Sequence, residues 1–428
     1  MKKFVAKIWN SPSARNVGKL LSANVIAQAL GIIIYPILTR LYTPEDFGLL
    51  NVFASIGGGL ILLSTLEWYN AIVLPKKEQD ASALVHLSFF CLLATSILLL
   101  LTIPFATPFA KLLNLPRFAS FYWMLPIYVF LIGAWNILNY WYIRQKEYGR
   151  ISGYQISQSL FAAGYKTTFA FLPFSGGLMY ASILSPLCSL ILSLYRAGRK
   201  VLMPLRTIHP ETCKQVAVTY SNYPKYSTPR ALLNYIVGQL PVLVLAPLFG
   251  ERLIGFWGMA LMLSFTPISI MSRALYQVLF RKTTEQVNAG LSIAPFYRWF
   301  TIIALSVIVP FFIILWFVLP TLTDWLLGAD WRVTGEYIRW MLPWLVFNIL
   351  GGSTGYLVDI FFQQKTGLLF EILLAISRTI GVGIGIAMNN FEASIIGYAI
   401  GSAVINASQY VWYLTLVQRY EKRIKKSH

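Results

Sequence analysis

The sequence predicts an all-α integral membrane protein with about twelve transmembrane helices in two lobes of six. Of its 428 residues, 57% are hydrophobic and 12% are charged, and the mean hydropathy is +0.62. The apolar residues form runs of about 20, the length that a helix needs to cross the hydrocarbon layer. Because the runs are continuous and do not alternate with polar residues, they favour helices over a membrane barrel.

Twelve spans follow from these runs. In the first half they are 18–39, 47–74, 82–106, 119–142, 152–173 and 176–196, and in the second half 227–248, 254–279, 299–320, 336–362, 367–388 and 393–417. We therefore expect an N-terminal six-helix lobe over 1–197, a cytoplasmic linker over 198–226, a C-terminal six-helix lobe over 227–417 and a basic cytoplasmic tail over 418–428. Almost no residues remain between the spans to build a soluble domain.

The basic residues predict the orientation in the membrane. Most of the 35 lysines and arginines fall at the two ends of the chain and in every second gap, and the opposite gaps carry only Arg40, Lys111, Arg117, Arg252 and Arg332. Loops on the cytoplasmic side of a membrane are enriched in lysine and arginine. Both termini are therefore expected in the cytoplasm.

The net charge of +19 is mostly a consequence of this topology, and it also suits anionic lipid of the inner leaflet. Nucleic acid is not an expected partner, because the charge is spread over many short loops and no single basic domain exists. Cys91, Cys188 and Cys213 have no disulfide or metal-ligand spacing, and no phosphate-binding loop or catalytic triad is present. No cofactor is expected.

We expect the second half of the chain to repeat the first at an offset of about 207 residues, the alternative being coincidence among apolar residues. Leu41, Gly48 and Tyr69 correspond to Leu248, Gly255 and Tyr276. The offset covers six spans, an even number, so the halves are expected to be parallel repeats. Such repeats are typical of transporters that bind their substrate between two lobes.

Three spans carry polar stripes at helical spacing, and these stripes suggest a cavity for a sugar. The candidate residues are Asn24 and Gln28 in the first span, Gln158 in the fifth, and Trp344 and Asn348 in the tenth. Amides provide hydrogen-bond partners for hydroxyl groups, and aromatic rings provide flat apolar surfaces for stacking. The alternative is that these groups form interhelical hydrogen bonds without a ligand.

Charged residues inside the spans give a sharper prediction. Lys166, Arg273 and Arg378 are candidates for binding a diphosphate, since a guanidinium group donates two parallel hydrogen bonds to phosphate. An arginine in the middle of a spanning helix costs about 2.5–3.5 kcal/mol on insertion scales, which some interaction should offset. Glu67 and Asp359 are candidates for coupling or gating, and Glu67 is placed to pair with Arg273 of the other half. Buried pairs and snorkelling side chains are the structural alternatives.

Small residues and prolines predict local packing. Gly351 and Gly355, Gly381 and Gly385, and Gly397 and Gly401 have the four-residue spacing that allows close approach of two helices. Pro229, Pro241 and Pro247 predict a kinked or broken seventh span.

Several segments resemble those of polysaccharide flippases of the O-antigen (Wzx) type. They are RLYTPEDFG (40–48), AIVLPKK (71–77), YPKYS (223–227), QLPVL (239–243) and Gln277-Val278. The resemblance implies the fold of the multidrug/oligosaccharidyl-lipid/polysaccharide exporter (MOP) superfamily, which includes the MATE transporters and the lipid flippases. It also implies that Arg273 is similar in placement to a cavity arginine of the related lipid II flippases, and that Glu67 replaces an acidic residue that the family has near Asn70.

The function implied by this resemblance is translocation of undecaprenyl-diphosphate-linked oligosaccharides across the bacterial inner membrane by alternating access, for O-antigen, capsule or exopolysaccharide synthesis. Membrane lipid, a polysaccharide polymerase and a chain-length regulator are candidate partners. One alternative is a small-solute or drug antiporter of the same superfamily. Another is a polysaccharide polymerase or ligase, although such an enzyme needs a larger periplasmic loop than the connections at 107–118 and 321–335 provide.

Overall fold

Long α-helices dominate the computed structural model, which describes residues 27–173, 175–202, 205, 207 and 210–427, without the side chains of 199, 200, 277, 426 and 427. The helices of the first half are α1 (Ala27–Leu41), α2 (Pro44–Thr65), α3 (Glu78–Leu101), α4 (Met124–Arg144), α5 (Tyr148–Ala170) and α6 (Gly177–Leu202). Those of the second are α7 (Thr228–Phe249), α8 (Glu251–Asn288), α9 (Ala294–Leu327), α10 (Arg332–Thr354), α11 (Gln364–Ala387) and α12 (Phe391–Ser427). Each overlaps a predicted span, and the all-α membrane class is confirmed.

Eight of the described helices are long and apolar enough to cross a membrane: α2, α3, α4, α6, α7, α8, α9 and α11. Helix α1 is described only from Ala27 and is shorter. The remaining three, α5, α10 and α12, contain more polar residues. The predicted polar stripes of the fifth and tenth spans lie on α5 and α10, so the most polar helices are also those that carry candidate site residues.

The chain divides into two compact units, residues 1–254 and residues 255–428. The predicted lobe and linker boundaries remain predictions. In unit 1, α2 packs on α4 and α7, α3 on α4, and α5 on α6. The hydroxyl of Ser55 on α2 donates to Gln239 Oε1 on α7 at 3.0 Å, and Tyr235 of α7 donates to the carbonyl of Ser55 at 3.0 Å.

The seventh span is predicted to be kinked or broken; the break is wrong, and the kink remains a prediction. Helix α7 is continuous from Thr228 to Phe249 with Pro241 and Pro247 inside it. The irregular segment precedes it, as a π-helical turn over Tyr223–Ser227. The predicted linker contains a short helix, Pro210–Thr219, which packs on α3.

In unit 2, α12 packs on both α10 and α11, and α9 packs on α10. Glu421 near the end of α12 joins this helix to the start of α9, because its carboxylate accepts the backbone N–H groups of Ile293 and Ala294 at 2.7 and 2.9 Å. Burial raises the pKa of Glu421, but these two N–H donors, the Ser292 hydroxyl and Lys425 outweigh it and hold the pKa below its usual value. A carboxylate at this position satisfies N–H groups that a helix start leaves unpaired.

Close contact between α11 and α12 confirms the packing prediction for two of the three glycine pairs. A Cβ built on Gly381 would overlap the backbone of Gly397, and one on Gly385 would overlap Ser394. One on Gly401 would overlap the Ser377 side chain. The prediction is wrong for Gly351, where a Cβ would meet none of the described atoms within 4 Å.

We expect Gly381→Ala to lower the stability of unit 2 by about 1–3 kcal/mol, because the added methyl overlaps backbone atoms that cannot rotate away. Thermal unfolding of the purified protein would measure the change. Gly383→Ala is the matched control, since a Cβ there meets nothing within 4 Å. Equal unfolding temperatures for the two variants would contradict the close contact.

Candidate functional site

Helix α5 presents a polar, open face in unit 1. Only Ile151 and Tyr154 of this helix are buried, and most of its other residues are partly exposed. A Cβ built on Gly149, Gly153 or Gly164 would meet no described atom within 4 Å. Close packing against another described helix therefore does not explain why these positions are glycine. A polar side chain that faces lipid leaves hydrogen-bonding groups unsatisfied, and each such group costs about several kcal/mol. The open face of α5 is therefore suited to water or a polar ligand.

Lys166 brings α5 and α1 together. Its ammonium nitrogen lies 6.0 Å from the centre of the Tyr35 ring, and its carbonyl accepts the Tyr42 hydroxyl at 2.6 Å. No described carboxylate lies within 4 Å of this lysine. An anionic partner for this ammonium group would therefore have to come from outside the described residues.

Amide groups extend this polar region. Gln28 is half-buried on α1, and its Oε1 atom has no hydrogen-bond partner among the described residues. On α5, Gln158 is half-buried and the Oε1 of Gln155 is buried without a described partner. Asn24, predicted on the same stripe as Gln28, lies outside the described residues. Unpaired amides of this kind provide hydrogen-bond partners for the hydroxyl groups of a sugar.

Arg378 lies among three helices of unit 2. Its Nε donates to the Ser402 hydroxyl of α12 at 2.9 Å. Its Cζ atom lies 4.8 Å from the Tyr398 ring of α12 and 5.4 Å from the Trp344 ring of α10. Cation–π contacts contribute about 0.5–2 kcal/mol each, so they offset part of the cost of this charge. The sequence predicted Arg378 and Trp344 as site residues, and the structure brings these two together.

Two helices that contact this arginine, α10 and α12, carry buried donors without a described partner. The Nε1 atom of Trp344, whose side chain is 2% exposed, and the Nδ2 atom of Asn406 are both buried with no hydrogen-bond partner among the described residues. Asn406 lies one turn beyond Ser402 on α12. No described carboxylate lies within 4 Å of Arg378. A group of donors without an acceptor favours an anionic ligand.

Three residues of this region were not predicted from the sequence: Ser402, Asn406 and Tyr398. Single polar residues in a long helix usually indicate packing. The predicted residue Asn348 is half-buried on α10, one turn beyond Trp344. Arg273 is exposed on α8, where its guanidinium donates to the carbonyl and hydroxyl oxygens of Ser269 on its own helix at 3.3 and 3.4 Å.

Glu67 and Asp359 lie beyond helix ends, and the prediction that they are inside spanning helices is wrong. Helix α2 ends at Thr65, and Leu66 and Glu67 then adopt left-handed conformations with φ of 47° and 55°. Such values are strained for residues other than glycine. Asp359 is exposed in a short helix, Leu357–Ile360, that follows α10. Their predicted roles, and the predicted pairing of Glu67 with Arg273, remain predictions.

Glu67 is buried in spite of its charge, with 9% of its surface exposed. Burial raises its pKa, and a hydrogen bond from Asn70 and the charge of Arg230 act in the opposite direction without cancelling the effect. A buried carboxyl with a raised pKa is a typical proton-binding group.

Ion pairs join the start of α8 to the start of α2 within unit 1. Arg117 pairs with Asp46 at 2.5 Å and with Glu251 at 3.2 Å, and Arg252 pairs with Glu45 at 3.0 Å. Asp46 also completes a capping box with Thr43. The segment 40–48 therefore begins a helix and holds an ion-pair cluster as well.

Among the described residues, no group of three or more histidine, cysteine, aspartate or glutamate side chains is placed to hold a metal ion.

Comparison with known proteins identifies the family. The sequence profile of the family described as "Polysaccharide biosynthesis protein" matches residues 37–335. The chain belongs to this family. The resemblance predicted from its motifs is thereby confirmed, and the protein is a multi-pass membrane protein of the polysaccharide biosynthesis class.

Similar proteins agree with this assignment. The chain is 20% identical over 411 residues to the succinoglycan biosynthesis transport protein ExoT of Rhizobium meliloti (strain 1021). The aligned region covers 95% of this chain and 80% of the relative. An inward-facing MATE transporter of the MOP superfamily matches with a TM-score of 0.69 at 14% identity, over 92% of this chain and 96% of the other. A MOP superfamily transporter from Pyrococcus furiosus matches with a TM-score of 0.61 at 15% identity, over 97% of this chain and 98% of the other. The predicted MATE-like fold is confirmed.

We expect Arg117→Gln to destabilise unit 1 by about 1–3 kcal/mol, because Asp46 and Glu251 lose their shared cation and repel each other. Their side chains are only 20% and 10% exposed, so water does not replace the arginine fully. Thermal unfolding measures the effect, with Lys111→Gln at an exposed position as the control. An equal effect of both variants would show that the cluster contributes nothing.

Glu67 should make stability depend on pH. Because its folded pKa is raised above the ordinary value of 4.5, its contribution is fully present below that value and is lost as pH rises through the raised pKa. We expect the unfolding temperature of the wild type relative to Glu67→Gln to rise as pH falls through this window. Glu78→Gln, at an exposed position, should leave the wild-type pH profile unchanged. Parallel profiles for wild type and Glu67→Gln would refute the prediction.

Proposed function

We propose that this protein is a flippase for oligosaccharides linked to undecaprenyl diphosphate in the bacterial inner membrane, with both termini in the cytoplasm. The observation that carries the proposal is Arg378 in the middle of α11, together with buried donors without described partners on α10 and α12, the two helices that it contacts. A diphosphate provides acceptors for the rest of the Arg378 guanidinium, whose Nε donates to Ser402, and for the Trp344 and Asn406 donors that have no partner among the described residues. The family assignment supports a saccharide as the remainder of the substrate.

The open face of α5 is the proposed binding surface for the sugar. Gln158, Gln28 and the neighbouring amides bind hydroxyl groups, and Lys166 is a further contact for negative charge. Arg273 is the proposed additional phosphate contact, because its guanidinium is exposed and bonded only to Ser269 among the described residues. Asn24, Trp344 and Asn348 complete the proposed binding residues.

The polyprenyl chain remains in the lipid while the head group crosses by alternating access. Glu67 is the proposed coupling group, because it is buried and has a raised pKa, and Asp359 is the second candidate. The saccharide polymer made from the product is O-antigen, capsule or exopolysaccharide, with a polymerase and a chain-length regulator as the downstream partners. No catalytic role is proposed for the chain.

We expect Arg378→Gln to lower the translocation rate roughly tenfold to hundredfold, since a hydrogen bond to a charged group contributes about 1.5–3 kcal/mol. Arg378→Lys should retain part of the rate, because it keeps the charge but loses the planar fork. The assay is complementation of a strain that lacks its own flippase, with the lipid-linked oligosaccharide counted in each leaflet. Arg298→Gln, at an exposed position near the start of α9, is the control.

The same variants distinguish a drug antiporter. A cationic drug is repelled by Arg378, so an antiporter of such compounds should bind a fluorescent cation more tightly in Arg378→Gln. That result, together with unchanged complementation, would overturn the proposed substrate.

A further inference from the structure

An apolar groove on the outer surface of unit 2 carries an arginine at one end. The groove has a volume of about 340 Å³ and lies between α9 and α10. Its walls include Phe312, Ile313 and Trp316 of α9 and Pro343 and Val346 of α10. Helix α9 is strongly apolar, and only 11% of its most apolar 18-residue stretch is buried. The groove therefore opens toward the hydrocarbon of the membrane.

Arg339 lies at the head of this groove. It is one turn before Pro343 on the same face of α10, and its Cζ atom lies 5.6 Å from the ring of Trp316 and 5.9 Å from that of Trp340. The two tryptophan rings contact each other edge to face at 5.3 Å. Arg339 lies three residues after the start of the predicted tenth span at 336, so it is expected near the edge of the hydrocarbon layer.

Two donors at this corner have no acceptor. The Nε of Arg339 and the Nε1 of Trp340 are buried, and neither has a hydrogen-bond partner among the described residues. No described carboxylate lies within 4 Å of Arg339. A partly buried charge without a counter-charge is destabilising. An anionic group beside the remainder of the Arg339 guanidinium would offset that cost.

We propose that this groove binds an anionic phospholipid of the bilayer. The phosphate accepts hydrogen bonds from the guanidinium of Arg339, and one acyl chain lies along Trp316, Phe312 and Val346 toward the middle of the membrane. The distance along α10 from Arg339 to Val346 is about 10 Å, so the groove follows the direction of an acyl chain from the interface inward. Tryptophan pairs near an arginine are typical of the membrane interface. This site is separate from the donors around Arg378 and does not depend on the proposed function.

Lipid binding to the full-length protein tests the proposal, with native mass spectrometry and dioleoyl phosphatidylglycerol as the probe. We expect Arg339→Gln to weaken phosphatidylglycerol binding about fivefold, as the attraction of one arginine for anionic lipid is about 1 kcal/mol. Arg339→Lys should retain most of the binding. Arg332→Gln, at the exposed first position of α10, should bind as the wild type does.

Ile313→Trp tests the apolar part of the groove, because this side chain is 55% exposed and the change does not disturb a buried core. We expect it to weaken both phosphatidylglycerol and phosphatidylcholine, whereas Arg339→Gln weakens only phosphatidylglycerol. Wild-type affinity for phosphatidylglycerol in Arg339→Gln would overturn the proposal. So would equal competition by inorganic phosphate, which would indicate a site for a free anion, or displacement at much lower concentration by undecaprenyl phosphate, which would assign the groove to the substrate lipid.

Discussion

Keeping polar helices away from lipid is the constraint on which this structure depends. Helices α5, α10 and α12 carry too many polar groups to face hydrocarbon, and each unit solves the problem differently. In unit 2, the apolar helices α9 and α11 are mostly exposed, and α12 packs against α10 and α11. In unit 1, α5 has few buried residues, and beside three of its glycines lies space that no described residue fills. The second solution is stable in a membrane only if water or a polar ligand covers the open face.

The contact between α11 and α12 determines where Arg378 lies. Gly381 and Gly397 bring the two backbones together, and Ser402 then lies within hydrogen-bonding distance of Arg378. A larger residue at either glycine would separate the helices and leave the guanidinium without this partner. The four-residue glycine spacing, which is a packing signal in the sequence, is therefore also what positions the charged group. Packing and ligand binding are therefore not exclusive explanations of a polar residue here, because the same helix contact can serve both.

The helices were predictable from the sequence because lipid requires about 20 apolar residues for each crossing, and this signal is strong. Arg378 and Trp344 were both chosen from the sequence and lie in contact, and their binding role remains a prediction. The positions of Glu67 and Asp359 were not predictable. Helix α2 ends at Thr65 because Leu66 and Glu67 turn left-handed, and neither residue type signals such an end. Asn406 was missed because an isolated amide gives no sign of whether it has a partner.

The ion pair between Glu45 and Arg252 bears on the predicted internal repeat. These residues are 207 positions apart, which is the predicted offset between the two halves. If the repeat holds, Glu45 near the start of α2 and Arg252 near the start of α8 occupy equivalent positions. Two identical charges in contact would repel each other, so a contact at this pair requires residues of opposite charge. The difference between Glu45 and Arg252 is therefore no argument against the predicted repeat.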